Sequence, residues 1–501
     1  MTTTVSSDKS LQEYGSTEQQ NDVVFANRPV SAQKGKIWPI VATGAGLFSD
    51  GYLNNVIGSV NTILRRLYPT DYAASSATQN VSAIAFAGTV LGQLVFGYVS
   101  DHYSRKHGMV VATVILIVFA ILCSGSWGAG GSIPGMLAAL TAYRFFIGIG
   151  IGGEYPAGSV ACAEASNELK EGRRNRFFVL FTNFMIDFGF VVSAFVPLVM
   201  LWICGMNHLT TVWRVSLGLG AIPPMSIFYL RLKLQEPEQF TKNTMRNTKP
   251  PYGLILKYYW FRLLVVSAIW FIYDFSAYSF GLYSSTILDT IIKSDSLYKS
   301  FGWNVVLNLF YIPGSFFGAF SADWFGPRIT LAVGVILQAI VGYIMAGLYS
   351  HLSNHIAAFV VVYGIFQTLG EFGPGDCIGL IASKTCATSV RGQYYGIAAA
   401  TGKIGAFVGT YVFPVIIKNA GGEDTVKGLQ APFWVSSSLS ILSGLMALFF
   451  LPKLGQDVIT KEDDKFREYL ASKGWDVARL GDDSLSFNEV AEEEITEPKK
   501  D

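Results

Sequence analysis

The chain has 501 residues, of which 51% are hydrophobic and only 15% charged, and its formal net charge is +1. A soluble enzyme of this size carries about a quarter charged residues, and here the charges also cluster, leaving apolar runs too long for a globular core. With no basic tract there is nothing to recruit a nucleic acid, and the five cysteines (Cys123, Cys162, Cys204, Cys377 and Cys386) sit in apolar stretches with neither a disulfide framework nor metal-ligand spacing.

Crossing a bilayer takes about 20 apolar residues, because about 30 Å of hydrocarbon must be spanned at 1.5 Å per residue. Residues 1–37 are polar and are read as a disordered cytoplasmic tail. No cleavable signal peptide precedes Trp38, so the first apolar segment is expected to act as an uncleaved insertion signal. Twelve spans are predicted at 38–64, 80–100, 108–127, 136–160, 176–204, 212–232, 260–288, 303–322, 329–350, 356–382, 391–417 and 430–452. They divide into an N-terminal six-helix bundle (38–232), a cytoplasmic central loop (233–259) and a C-terminal six-helix bundle (260–452). The remainder, 453–501, is read as a solvated cytoplasmic tail. Loops bearing Arg105 and Lys106, Lys170 to Arg176, Arg328, and Lys384 to Arg391 fall on one side, which puts both termini in the cytoplasm under the positive-inside rule.

An internal repeat accompanies this pattern. Gly97-Tyr-Val-Ser-Asp101-His-Tyr-Ser-Arg105-Lys106 after helix two is echoed by Gly318-Ala-Phe-Ser-Ala-Asp323-Trp-Phe-Gly326-Pro-Arg328 after helix eight. Gly153-Glu154-Tyr155-Pro156 is echoed at nearly the same offset by Gly370-Glu371-Phe372-Gly373. Two six-helix halves with a site at their interface follow, the plan of the major facilitator superfamily. The expected fold class is therefore an all-α membrane protein of twelve transmembrane helices, and neither catalysis nor a cofactor or metal is expected.

Ionisable groups inside spans are costly, and they face a cavity or a partner. The set here is Asp50, Arg144, Glu154, Asp187, Asp274, Glu371, Asp376 and Lys403. In helix seven, Trp270, Asp274 and Tyr278 recur every fourth residue and share one face. They suit an oxyanion when the carboxyl is protonated, or simply aromatic packing around one satisfied aspartate. Lys403 lies in the glycine-rich helix eleven and needs either an acid partner or an anionic substrate. Glu154 ends the glycine-rich helix four, as a titrating proton-coupling group or as a permanently paired carboxylate. Arg144, about 15 Å away along the same helix, is read as structural.

These motifs together resemble the phosphate:proton symporter branch of the major facilitator superfamily. That branch carries acid-Tyr-Pro in helix four, Trp-x3-Asp-x3-Tyr in helix seven and Gly-Lys-x-Gly-Ala in helix eleven. Glu154-Tyr155-Pro156, Trp270/Asp274/Tyr278 and Gly402-Lys403-Ile-Gly405-Ala406 fill those positions, and Asp50 matches the helix-one aspartate. The departures lie in helix ten, Glu371-Phe-Gly-Pro-Gly375-Asp376, and in helix five, Ile186-Asp187-Phe188-Gly189. With these changes the chain looks like the fungal glycerophosphodiester permeases.

The resemblance implies proton-coupled uptake of a glycerophosphodiester, glycerophosphoinositol or glycerophosphocholine, across the plasma membrane. Tyr155, Trp270, Asp274, Tyr278 and Lys403 would bind it; Asp50, Glu154 and Asp274 would couple protons; Asp187, Glu371 and Asp376 would select the head group, the alternative being that Glu371 and Asp376 pair with Lys384 or Arg391 toward the cytoplasm. The implied partners are the diester, protons and the lipid bilayer. Inorganic phosphate import is the alternative within the same class, and a non-transporting nutrient sensor is the alternative from another.

Overall fold

Apolar runs separated by short polar loops fold into long helices in a computed structural model that describes residues 37–292, 296–422 and 425–481. The expectation for 1–36, and for the tail beyond 481, lies outside the described residues. Helix α1 runs Trp38–Gly44, tightens into a 3-10 turn at Ala45–Leu47 and continues as Phe48–Leu67. Next come α2 (Ala77–His102), α3 (Arg105–Ser124), α4 (Ile133–Asn167), α5 (Arg174–Cys204) and α6 (Met206–Leu232). The second half holds α7 (Tyr252–Ile292), α8 (Leu297–Trp324), α9 (Pro327–Gly347), α10 (Ile356–Lys384), α11 (Thr388–Asn419) and α12 (Val426–Phe450).

Among the described residues, eleven of these helices are long and apolar enough to cross a bilayer. The one that falls short by composition is α1, whose face carries Asp50, Asn54, Asn55 and Asn61. Of these, Asp50, Asn54 and Asn55 reach the cavity between the halves, while Asn61 bonds Ser82 and Tyr72. Helix α7 is 41 residues long and starts at Tyr252, so part of the expected loop 233–259 is helical; Glu238–Asn243 adds a short turn of helix.

Within the first half α2 packs on α4 and α1 on α5; within the second α7 packs on α11 and α9 on α12; α2 meets α11 across the halves. Glycine makes two of these contacts close. A Cβ at Gly148 would lie 2.0 Å from the Ala85 carbonyl oxygen of α2, and one at Gly405 2.3 Å from that of Phe271 in α7. Arg144 has the structural role expected of it: Nε donates to Val81 O (2.7 Å) and Nη1 to Leu53 O (3.2 Å), tying α4 to α2 and α1.

Ionic ties gather at the end of the bundle where the basic loops lie. Glu164 of α4 accepts from Arg105 (2.7 and 2.8 Å) and from Arg391 of the other half (2.9 Å), while Asp101 accepts the Gly392 and Gln393 amides (2.8 and 2.7 Å). The segment expected as solvated tail joins them. Helix α13 (Val458–Ser472) buries Ile459, Phe466 and Leu470, which recur on one helical face. Its Asp463 accepts Thr388 N (2.6 Å) and its Glu462 accepts Arg262 (2.7 Å). The sequence showed the charges of this helix, and the apolar stripe between them is what docks it.

Candidate substrate cavity between the halves

A cavity with about 800 Å³ of space free of protein atoms, its open mouth included, lies between the two halves and is lined by residues of α1, α4, α5, α7, α8, α10 and α11. Its polar groups fall into two sets.

The first set surrounds Lys403. Its Nζ lies 3.2 Å from Asp274 Oδ2 and 3.6 Å from the ring centroid of Tyr278, with the Tyr155 ring at 5.1 Å. Both Lys403 and Asp274 are buried. The phenols of Tyr155 and Tyr278 turn to Asp50 of α1: Tyr155 donates to Oδ2, Tyr278 Oη is 3.3 Å from the same oxygen, and Asn54 Nδ2 donates to Oδ1 (2.5 Å). Trp270 stands edge-on to Tyr395 with ring centroids 5.4 Å apart, over Gly402, where a Cβ would come within 2.4 Å of its ring. Asp50, sequence-distant from helices seven and eleven, is thereby joined to Lys403 through two tyrosines.

The second set is acidic. Asp187 of α5 and Glu371 and Asp376 of α10 all line the cavity and are buried. Asn183 Nδ2 donates to Glu371 Oε2 and to Asp376 Oδ1, each at 3.0 Å, and Tyr273 Oη donates to Glu371 Oε1 at 2.8 Å. Neither oxygen of Asp187 is in a well-formed hydrogen bond; Ser315 and Glu371 are its polar neighbours. The helices here are irregular. Thr182 breaks α5 just before Asn183, Phe310 interrupts α8 beside Tyr311, and α10 opens into a π turn at Glu371–Gly375. Non-helical backbone at membrane depth is tolerated where it lines a cavity.

Of the ten site residues drawn from the sequence, nine line the cavity or, for Asp50, bond its lining tyrosines. Glu154 does neither. It is paired with Arg231, at 2.5 Å from Nη1 to Oε1 and 2.6 Å from Nη2 to Oε2, with both side chains buried. Arg231 also donates to Thr113 Oγ1 (2.7 Å) and Ala42 O (3.2 Å). This geometry is the permanently paired carboxylate the sequence left open, not a cavity-facing proton acceptor. The sequence reading missed Asn183, Tyr273, Tyr311 and Asn55. Asn55 donates to Ser193 Oγ (2.9 Å) and, across the halves, to Asn308 Oδ1 (3.0 Å). Asn183 had a usable signal, since it lies one helical turn from Asp187.

The family described as sugar (and other) transporter matches residues 38–249 and 238–459. The Major glycerophosphoinositol permease GIT3 of Candida albicans is 53% identical over 474 residues, 94% of this chain and 87% of that one. The Glycerophosphocholine permease GIT4 of the same organism is 53% identical over 463 residues, 92% of this chain and 86% of that one. The major facilitator superfamily proton:xylose symporter XylE, solved with 6-bromo-6-deoxy-D-glucose, shares the fold with a TM-score of 0.72 at 17% identity, over 86% of this chain and 98% of that one.

Proposed function

We infer function from kinship and cavity together: the chain belongs to the sugar (and other) transporter family of the major facilitator superfamily, and it is a multi-pass membrane transporter, not an enzyme. Its substrate, on this reading, is a glycerophosphodiester, taken up with protons across the plasma membrane by alternating access of the two six-helix halves. The basic loops lie in the cytoplasm with both termini. Relatives at 53% identity whose names specify glycerophosphoinositol and glycerophosphocholine support the substrate class and leave the alcohol open.

The observation that carries the reading is one buried ammonium, Lys403, that faces unfilled space with a carboxyl 3.2 Å away. A phosphodiester brings a single negative charge, which one lysine balances. While Asp274 is ionised it occupies that lysine and repels an incoming anion. A proton on Asp274 releases the ammonium to the phosphoryl oxygens and turns the carboxyl into a donor. Proton and substrate therefore raise each other's affinity, the thermodynamic condition for symport. Asp50 works the same way at one remove, because a proton there frees the Tyr155 and Tyr278 hydroxyls it now holds. Trp270 walls the phosphate side, while Asp187, Glu371 and Asp376 meet the alcohol. Glu154, held by Arg231, stays outside the proton step.

Uptake of labelled glycerophosphoinositol and glycerophosphocholine into cells that lack their own carriers tests this. Uptake should require the chain, collapse with a protonophore and resist excess inorganic phosphate. Competition by phosphate at similar concentration would make the chain a phosphate symporter, and no diester uptake at all would overturn the reading.

A further inference from the structure

The acidic set has no use in the phosphate step, and among the described residues no lysine or arginine pairs with Asp187, Glu371 or Asp376. Asn183 and Tyr273 donate hydrogen bonds to this set without cancelling charge. Asp376 Oδ2 and both oxygens of Asp187 remain without a well-formed hydrogen bond. Three carboxyls gathered at membrane depth are costly to ionise unless a cation meets them.

Around them stand aromatic faces. Tyr273, Tyr311 and Phe190 all line this wall, and the Phe190 and Tyr311 rings lie 5.1 Å apart. The wall thus offers carboxyl oxygens and π faces; Asn183 and Tyr273 are already spent on the carboxyls, which leaves few donors, the Tyr311 hydroxyl among them. A neutral polyol asks for donors as well as acceptors and brings no charge. A quaternary ammonium asks for this set, since its methyl groups donate no hydrogen bond and its charge is attracted by carboxylates and ring faces.

We propose that Asp187, Glu371 and Asp376, with Tyr273, Tyr311 and Phe190, form a quaternary-ammonium site, so that the preferred substrate is a zwitterionic diester with its phosphate at Lys403 and its ammonium here. This rests on the diester reading above and adds the charge of the alcohol to it. The relatives do not decide that point, since a permease named for each alcohol is equally similar.

The test separates charge from shape. In carrier-deficient cells expressing the chain, uptake of labelled glycerophosphocholine is competed by unlabelled glycerophosphocholine, by its neutral 3,3-dimethylbutyl isostere and by glycerophosphoinositol. The isostere and the inositol diester are expected to compete about tenfold more weakly, the size of one desolvated cation–π and charge contact. Asp187→Asn combined with Asp376→Asn should bring the isostere level with glycerophosphocholine. Equal competition by the isostere on the unmutated carrier, a measurement independent of how the variants fold, overturns the proposal. Uptake of glycerophosphoinositol that glycerophosphocholine fails to compete for overturns it too but leaves the diester reading standing. Transport of neither diester removes both.

Discussion

Two turns of the same unusual geometry stand at matching places in the two halves. Glu154–Ser159 and Glu371–Gly375 are each a π turn that opens on a glutamate and contains a proline. Such turns concentrate at functional sites, yet their glutamates do different work. In the first half the end of α6 brings Arg231 against Glu154 and closes a buried pair. In the second half the matching helix, α12, ends in Phe449-Phe450 and brings no cation. Glu371 is left to Asn183, Tyr273 and the cavity. One backbone device, present twice, is structural where a cation closes it and faces the cavity where none does.

The hardest way to break this comparison is Glu154→Ala. It strands a buried arginine, and breaking a buried pair from one side costs about 3–5 kcal/mol. Thermal unfolding in detergent should show the loss, with little carrier reaching the membrane. Glu371→Gln should keep the unmutated melting temperature while transport falls. Next in size is Asp274→Asn, which removes the group proposed to take the proton. Diester accumulation should drop about a hundredfold and become insensitive to a protonophore, while exchange of labelled for unlabelled substrate continues. Asn183→Ala removes a donor shared by two carboxyls and should weaken uptake about tenfold, by the worth of a hydrogen bond to a charged group. The smallest effect sharpens the contrast most. Replacing both partners, Glu154→Met with Arg231→Met, should leave proton-coupled uptake within about twofold, because an apolar pair can replace a buried ion pair at little cost.

Much of this was legible because charge is conspicuous in a membrane sequence. Asp50, Asp187, Asp274, Glu371, Asp376 and Lys403 each stand out against an apolar background, and the repeat assigned them to two halves. Partners were harder to read. Arg231 sits at the end of α6, 77 residues from Glu154, in the last turn of the sixth span and outside the set of charges singled out within the spans. Uncharged groups such as Asn55 and Tyr311 carry no such contrast, and the break in α5 at Thr182 that sets Asn183 between two acids depends on tertiary packing. Helix α13 was obscured the other way, its charges masking the stripe of Ile459, Phe466 and Leu470.

The ammonium and carboxyl at the centre of the cavity are tested most directly by purified carrier in proteoliposomes that enclose a pH-sensitive dye. Adding a glycerophosphodiester outside should acidify the lumen as labelled substrate enters, and the charge-neutral pair Lys403→Met with Asp274→Asn should abolish both signals while the protein remains folded. Substrate influx with no change in luminal pH, or undiminished influx through that double variant, would contradict the account.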